Sequence, residues 1–270
     1  MTKLDEYRVA LAGLTDWEPY LLANSNLPGP RGNLELAQAA ADLGTEVQFH
    51  GWAALGPDVA PENTPECFLA FCGVVGLGSI MARGGGFASI KPPTAVEEEP
   101  AIHKRPAAEQ ENPPLPILRS IASDPRWRIR EAVAMALQRW GDADMAGLLA
   151  EMADWARGNP WEQRAAAAAL CEPRLLKDAE HAAAVLHILD EITASIGPTT
   201  DRKNDAFKTL RQGLGYCWSV AVSALPETGK PLMEKWLASP DPDVRWIMAE
   251  NLKKNRLARM DVAWVARLRG

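Results

Sequence analysis

Between residues 115 and 268 the chain repeats one pattern: apolar positions recur at helical spacing, as in Ile129, Val133 and Leu137, inside stretches rich in Ala, Leu, Glu, Arg and Gln. No segment alternates apolar and polar residues for long enough to predict a strand. Short runs of Pro, Gly, Asn and Asp separate the periodic stretches, which is the spacing of helices packed against their sequence neighbours. The chain reads as all-α.

The predicted helices come in pairs. Leu115–Ala122 and Trp127–Trp140 form the first, Asp144–Arg157 and Glu162–Cys171 the second, and Ala179–Ile196 and Asp205–Ala224 the third. Pro231–Ala238 and Asp243–Asn255 form a fourth, followed by a capping helix over Asp261–Leu268. Their second helices align: DPRWRIREAVAMAL at 124–137 matches SPDPDVRWIMAENL at 239–252, so that Ile129, Arg130, Val133, Ala134 and Leu137 face Val244, Arg245, Met248, Ala249 and Leu252. NPWEQRAAAAALC from Asn159 is a third copy and sets Arg164 beside those arginines. A repeat near 40 residues is the period of a helix-pair solenoid.

This pattern resembles HEAT repeats, in which a proline-containing turn precedes a second helix of the form V-R-x-x-A-x-x-A-L. The resemblance covers about residues 115–257 and implies an α-solenoid, a right-handed superhelix of about six HEAT-like antiparallel helix pairs. Upstream, Asn33–Leu43, Glu46–Leu55 and Pro65–Arg83 have helical composition, with Asn33 and Thr64 as N-caps, and accommodate the two remaining pairs. The predicted organisation is N-terminal helical repeats over 1–83, a Pro/Gly-rich charged linker over 84–115, and HEAT-like repeats with a C-terminal cap over 116–270.

Charge then narrows the function. The net charge is −6, yet residues 245–270 hold seven Lys and Arg against Glu250 and Asp261, leaving −11 on the rest. A polyanion partner is disfavoured in bulk and retained only at a local basic end. Two clusters interleave cations with aromatics: Arg126, Trp127, Arg128 and Arg130, and Arg245, Trp246, Lys253, Lys254 and Arg256. Stacking combined with phosphate contacts is how such a groove holds nucleic acid. In this the chain resembles the bacterial DNA-alkylation-repair proteins built from HEAT-like repeats, for whose catalytic set Asp154, Trp155 and Trp161 are the nearest group here.

Enzyme signatures are otherwise missing. The four histidines form no HExxH, and the six-residue gap between His181 and His187 puts them on different helix faces. GVVGLG at 73–78 follows no strand and reads as close packing through small residues. Cys67, Cys72, Cys171 and Cys217 form no CxxC pair and read as buried thiols of a reducing compartment. No metal or cofactor is expected.

The N-terminus shows no secretory pattern, and the apolar run Cys67–Ala82 is short of a bilayer span, so a cytoplasmic protein without membrane association is expected. Most of the ten tryptophans are expected in the core, with Trp127 and Trp161, at second-helix starts, outside it. The repeated Arg130, Arg164 and Arg245 are expected to bond acids or carbonyls of adjacent turns, with Asp124 and Asp241 as partners. LPGPRGNLELA (27–37) holds Arg31 on a constrained turn, a further binding candidate. The first functional expectation is a non-enzymatic scaffold holding a protein or peptide on its concave face, with candidate residues Arg31, Arg126, Trp127, Arg128, Trp161, Arg245, Lys253, Lys254 and Arg256. The alternative is DNA binding or repair.

Overall fold

A computed structural model describes residues 1–84 and 113–269, and all of its regular secondary structure is helical. In the N-terminal part lie α1 (Lys3–Ala12), α2 (Glu18–Ala23), α3 (Leu34–Leu43), α4 (Glu46–Ala53) and α5 (Pro65–Arg83). After residue 113 come α6 (Pro114–Ile121), α7 (Trp127–Ala143), α8 (Met145–Trp155), α9 (Pro160–Leu170) and α10 (Ala179–Ala194). The chain continues through α11 (Asp205–Ala224), α12 (Pro226–Leu237), α13 (Pro242–Leu252), α14 (Asn255–Met260) and α15 (Val262–Arg269).

Local chemistry fixes where these helices begin. Asn33 accepts from Leu36 N and Thr64 from Cys67 N, as the sequence predicts, and Asp144, Asn159, Asp178, Asn204 and Asp241 cap α8 to α11 and α13 in the same way. Each cap satisfies amide donors that a helix start leaves without intrahelical partners.

The helices stack in two rows, which makes the molecule an α-solenoid. In one row α1, α3, α5, α7, α9, α11 and α13 each pack on the next; in the other α8, α10 and α12 do so, with α4 and α6 laid on α5 and α7. The N-terminal and C-terminal helices are therefore continuous, because α5 packs directly on α7. The expected linker over 84–115 falls largely outside the described residues, and α6 already begins at Pro114.

Helix α5 is the spine of the N-terminal part, and its glycines explain how. A methyl group at Gly78 would lie 2.2 Å from the Ala136 carbonyl oxygen of α7, one at Gly76 2.1 Å from the Phe49 ring of α4, and one at Gly73 2.3 Å from Ala53 N. The small residues thus let two flanking helices approach to backbone contact, as expected for this run. Length is a correction: with 19 residues, α5 is long and apolar enough to cross a bilayer, but most of it is buried among its neighbours.

Several helix boundaries also differ from expectation, and α13 stops at Leu252 before a separate α14 instead of running to Asn255. α7 runs through Gly141 to Ala143, since Gly141 faces Leu148 and Leu175 where a side chain would collide. α12 starts at Pro226, five residues before the expected Pro231, because buried Gly229 seats the first turn against Val222 of α11. The matched leucines of the repeat, Leu137 and Leu252, are both buried. So is Asn251, which donates to Leu214 O at 2.8 Å and accepts from Ser219 N at 2.7 Å, joining α13 to the backbone of α11.

Candidate binding face

The start of α7 turns three consecutive side chains to different uses. Arg126 is 5 % exposed: Nε and Nη2 hold the Asp124 carboxylate at 2.9 and 2.7 Å, and Nη1 donates to the Leu55 and Ala60 carbonyls, each at 2.9 Å. Arg128 is 7 % exposed and reaches the Glu62 carboxylate at 2.6 Å, the Gly29 carbonyl at 2.6 Å and Asn63 at 3.2 Å. The sequence offers both as ligand-binding cations, and both are instead ties between α7 and the N-terminal loops. A guanidinium brought this far from water needs such acceptors. Between them Trp127 projects outward, 47 % exposed, with the Arg128 guanidinium 4.4 Å from its ring centroid.

The repeated arginines behave as registers. Arg130 Nη1 bonds the carbonyls of Asp124 and Pro125 at 2.6 and 2.9 Å, and Arg245 Nη1 bonds the equivalent carbonyls of Ser239 and Pro240, both at 2.8 Å. The carboxylates of Asp124 and Asp241 are not their partners: Arg126 takes the first and Arg202 the second, while the backbone carbonyl of Asp124 is one of the two that Arg130 binds. Arg164 reaches back one unit, to the Arg130 carbonyl at 2.9 Å and to Glu131. Arg130 also lies over Trp161 at 4.7 Å, and Arg211 over Trp246 at 3.6 Å, so arginines cover aromatic faces at two unit boundaries.

At the far end, Lys253 pairs with Glu250, while Lys254 and Arg256 flank exposed Tyr216 at 5.9 and 4.9 Å from its ring. The members of the repair-like group are each engaged within the fold. Asp154 pairs with Arg119 at 2.6 Å, Trp155 is fully buried with its indole N–H donated to Glu151, and Trp161 lies under Arg130.

A cleft of about 230 Å³ opens between the 27–34 loop, α5 and α7, lined by Leu27, Arg31, Gly32, Leu34, Phe68, Phe71, Trp127, Arg128, Glu131 and Met135. It gathers three residues singled out in the sequence, Arg31, Trp127 and Arg128, whereas Trp161 lies on the neighbouring helix and Arg245, Lys253, Lys254 and Arg256 belong to the distant end. Sequence reasoning misses Phe68, Phe71 and Met135, since an apolar residue facing a cleft carries the same signal as one facing the core. The turn that carries Arg31 is fixed from several sides: Gly29 N donates to Asn63 Oδ1 at 3.0 Å, and Asn33 donates to Tyr7 Oη and Asn24 O, both at 2.8 Å.

A second, wider groove of about 610 Å³ includes Arg8, Asp42, Arg139, Asp142 and Arg174, whose charges pair with one another. Burial pushes the Cys67 thiol up to about 11 and raises Cys72 and Cys171 as well, which keeps them protonated near neutrality. Among the described residues no group of three or more His, Cys, Asp or Glu is placed to hold a metal ion.

No family model matches the sequence, and no curated protein matches it. Among solved structures, an engineered protein aligns over 96 % of this chain and 98 % of its own at 14 % identity and a TM-score of 0.34. A designed armadillo repeat protein aligns over 87 % and 98 % at 14 % identity and a TM-score of 0.30. The chain is a helical-repeat solenoid by its own helix packing.

Proposed function

We propose that this chain is a HEAT-like, non-enzymatic scaffold that binds a protein or peptide, and that the face carrying the Trp127 cleft takes part in binding. The supporting observation is the contrast at the start of α7, where Arg126 and Arg128 are consumed internally while Trp127 stands exposed beside an apolar cleft. Exposed aromatic surface next to a concavity is the anatomy of a binding anchor. Four free, buried thiols suit a reducing, cytoplasmic setting.

Nucleic-acid binding is the second reading, and Tyr216 with Lys254 and Arg256 is the observation that favours it. With Arg126 and Arg128 buried, Arg130 and Arg245 bonded to their own turns and Lys253 paired, Lys254 and Arg256 are what the two basic clusters leave for phosphates. Titration of short duplex and single-stranded DNA at low and near-physiological salt separates the readings. The scaffold reading expects no binding tighter than about 10⁻⁴ M. Tighter, salt-sensitive binding would replace it with the nucleic-acid reading, provided that combining Lys253→Ala, Lys254→Ala and Arg256→Ala reduces the log–log salt slope by roughly 0.9 for every phosphate these side chains neutralise. A pull-down with and without nuclease gives the complementary result.

A further inference from the structure

We infer that the cleft beside Trp127 anchors one large apolar side chain of a peptide whose neighbouring residue carries a carboxylate, received by Arg31. This rests on the scaffold reading and gives that scaffold a ligand chemistry.

Size and lining set the apolar half of the specificity. An apolar cavity of roughly 150 Å³ already holds a benzene ring, and this cleft offers about 230 Å³ among Leu27, Leu34, Phe68, Phe71, Met135 and the Trp127 ring. That suits Phe, Trp, Leu or Ile, and a charged side chain there would lose its hydration without compensation.

Charge at the rim sets the other half. Among the described residues three charged side chains line the cleft, and two are already matched: Arg128 by Glu62, and Glu131 by Arg164. Arg31 is exposed, with neither an ion pair nor a hydrogen bond among the described residues. The Arg128 Nε is buried and also finds no acceptor there. The uncompensated charge beside the apolar opening is therefore positive, and it favours an acidic neighbour to the anchor over a basic one. Because the turn carrying Arg31 is pinned by Asn63, Arg128 and Asn33, little ordering is needed when a ligand arrives.

A peptide is the occupant rather than a free organic acid because the row continues beyond the cleft. The next helix, α9, carries half-buried Trp161 with the Arg130 guanidinium over its ring, and a chain leaving the cleft continues across that cation, which a single small molecule would not reach.

The test pans phage-displayed random peptides on the full chain and on Arg31→Glu and Trp127→Ala variants, with circular dichroism and thermal melting verifying that each variant is folded. Enriched peptides should place an aromatic or branched apolar residue next to Asp or Glu. Synthetic copies should bind Arg31→Glu at least about tenfold more weakly, and the selection on that variant should shift to Lys or Arg beside the same anchor. Enriched peptides that bind both variants as well as the parent overturn the inference and leave the scaffold reading standing. No enrichment on the parent overturns both. Phenylacetate binding as tightly as the selected peptides would reassign the cleft to small organic acids.

Discussion

Arg202 grips Asp241 with both Nη atoms, Nη1 2.9 Å from Oδ1 and Nη2 2.6 Å from Oδ2, and so joins the loop after α10 to the first turn of α13. The same arginine bonds the carbonyls of Ile196 and Gly197, and the same aspartate accepts the Asp243 and Val244 amides as the N-cap. This pair, with Arg202 and Arg211 on Asp243, sets the register between the third and fourth predicted pairs.

That pairing makes a pH prediction. The Arg202 guanidinium, helped by the two amides, holds the Asp241 carboxyl below its ordinary range. A carboxylate depressed in the folded state stabilises fully above its unfolded value, near 4, and loses that contribution as pH falls through the depressed value. Asp241→Asn keeps a cap acceptor but removes the charge, so its stability should depend less on pH below about 4 than that of the parent. Asp241→Ala also removes the cap, at about 1 kcal/mol. Urea unfolding at neutral pH and near pH 3 checks both, and an unchanged acid dependence in Asp241→Asn would show the pair to be without effect.

Two alanine substitutions in glycines should have opposite signs. Gly78→Ala forces a methyl into the Ala136 backbone and should cost about 1–3 kcal/mol. Gly51→Ala, at an exposed position on the outer side of α4 with open space around it, should stabilise by roughly 0.5–1 kcal/mol through helix propensity. Denaturant titration of the pair reads the difference directly.

The repeat alignment predicts equal sensitivity at matched sites. Leu137→Ala and Leu252→Ala should each lower unfolding free energy by about 2–5 kcal/mol. A change below roughly half a kilocalorie at either site would contradict its burial.

Asn251→Leu should be more harmful than its similar volume suggests. It leaves Ser219 N and Leu214 O buried without their partner, a penalty of about 1–3 kcal/mol for each group. Hydrogen exchange at the Ser219 amide should accelerate in the variant; unchanged protection would mean that the backbone has found another acceptor.

Much of the fold is written in features that act over a few residues. The caps at Asn33 and Thr64, the small-residue run of α5 and the carbonyl-binding arginines Arg130 and Arg245 are legible because their partners lie within a turn or two of sequence. The site is less legible. Arg126 and Arg128 look like free cations in sequence and are buried because Leu55, Ala60, Glu62 and Gly29, 66 to 99 residues away, supply their acceptors. Phe68 and Phe71 are core residues, and only the gap between α5 and the 27–34 loop shows that they also form the floor of the cleft. Asp124 shows the same limit: sequence pairs it with Arg130, and geometry gives its carboxylate to Arg126 and only its carbonyl to Arg130.

The backbone contact between Gly78 and Ala136 has an implication for protein engineering. α5 meets α7 by shape, so the contact itself is a surface on which two pieces of the polypeptide can join. Fragments 1–84 and 113–270, each left with a bare helix face, should find one another when co-expressed, and the reassembled pair would serve as a split reporter whose signal fails when Gly78 is enlarged.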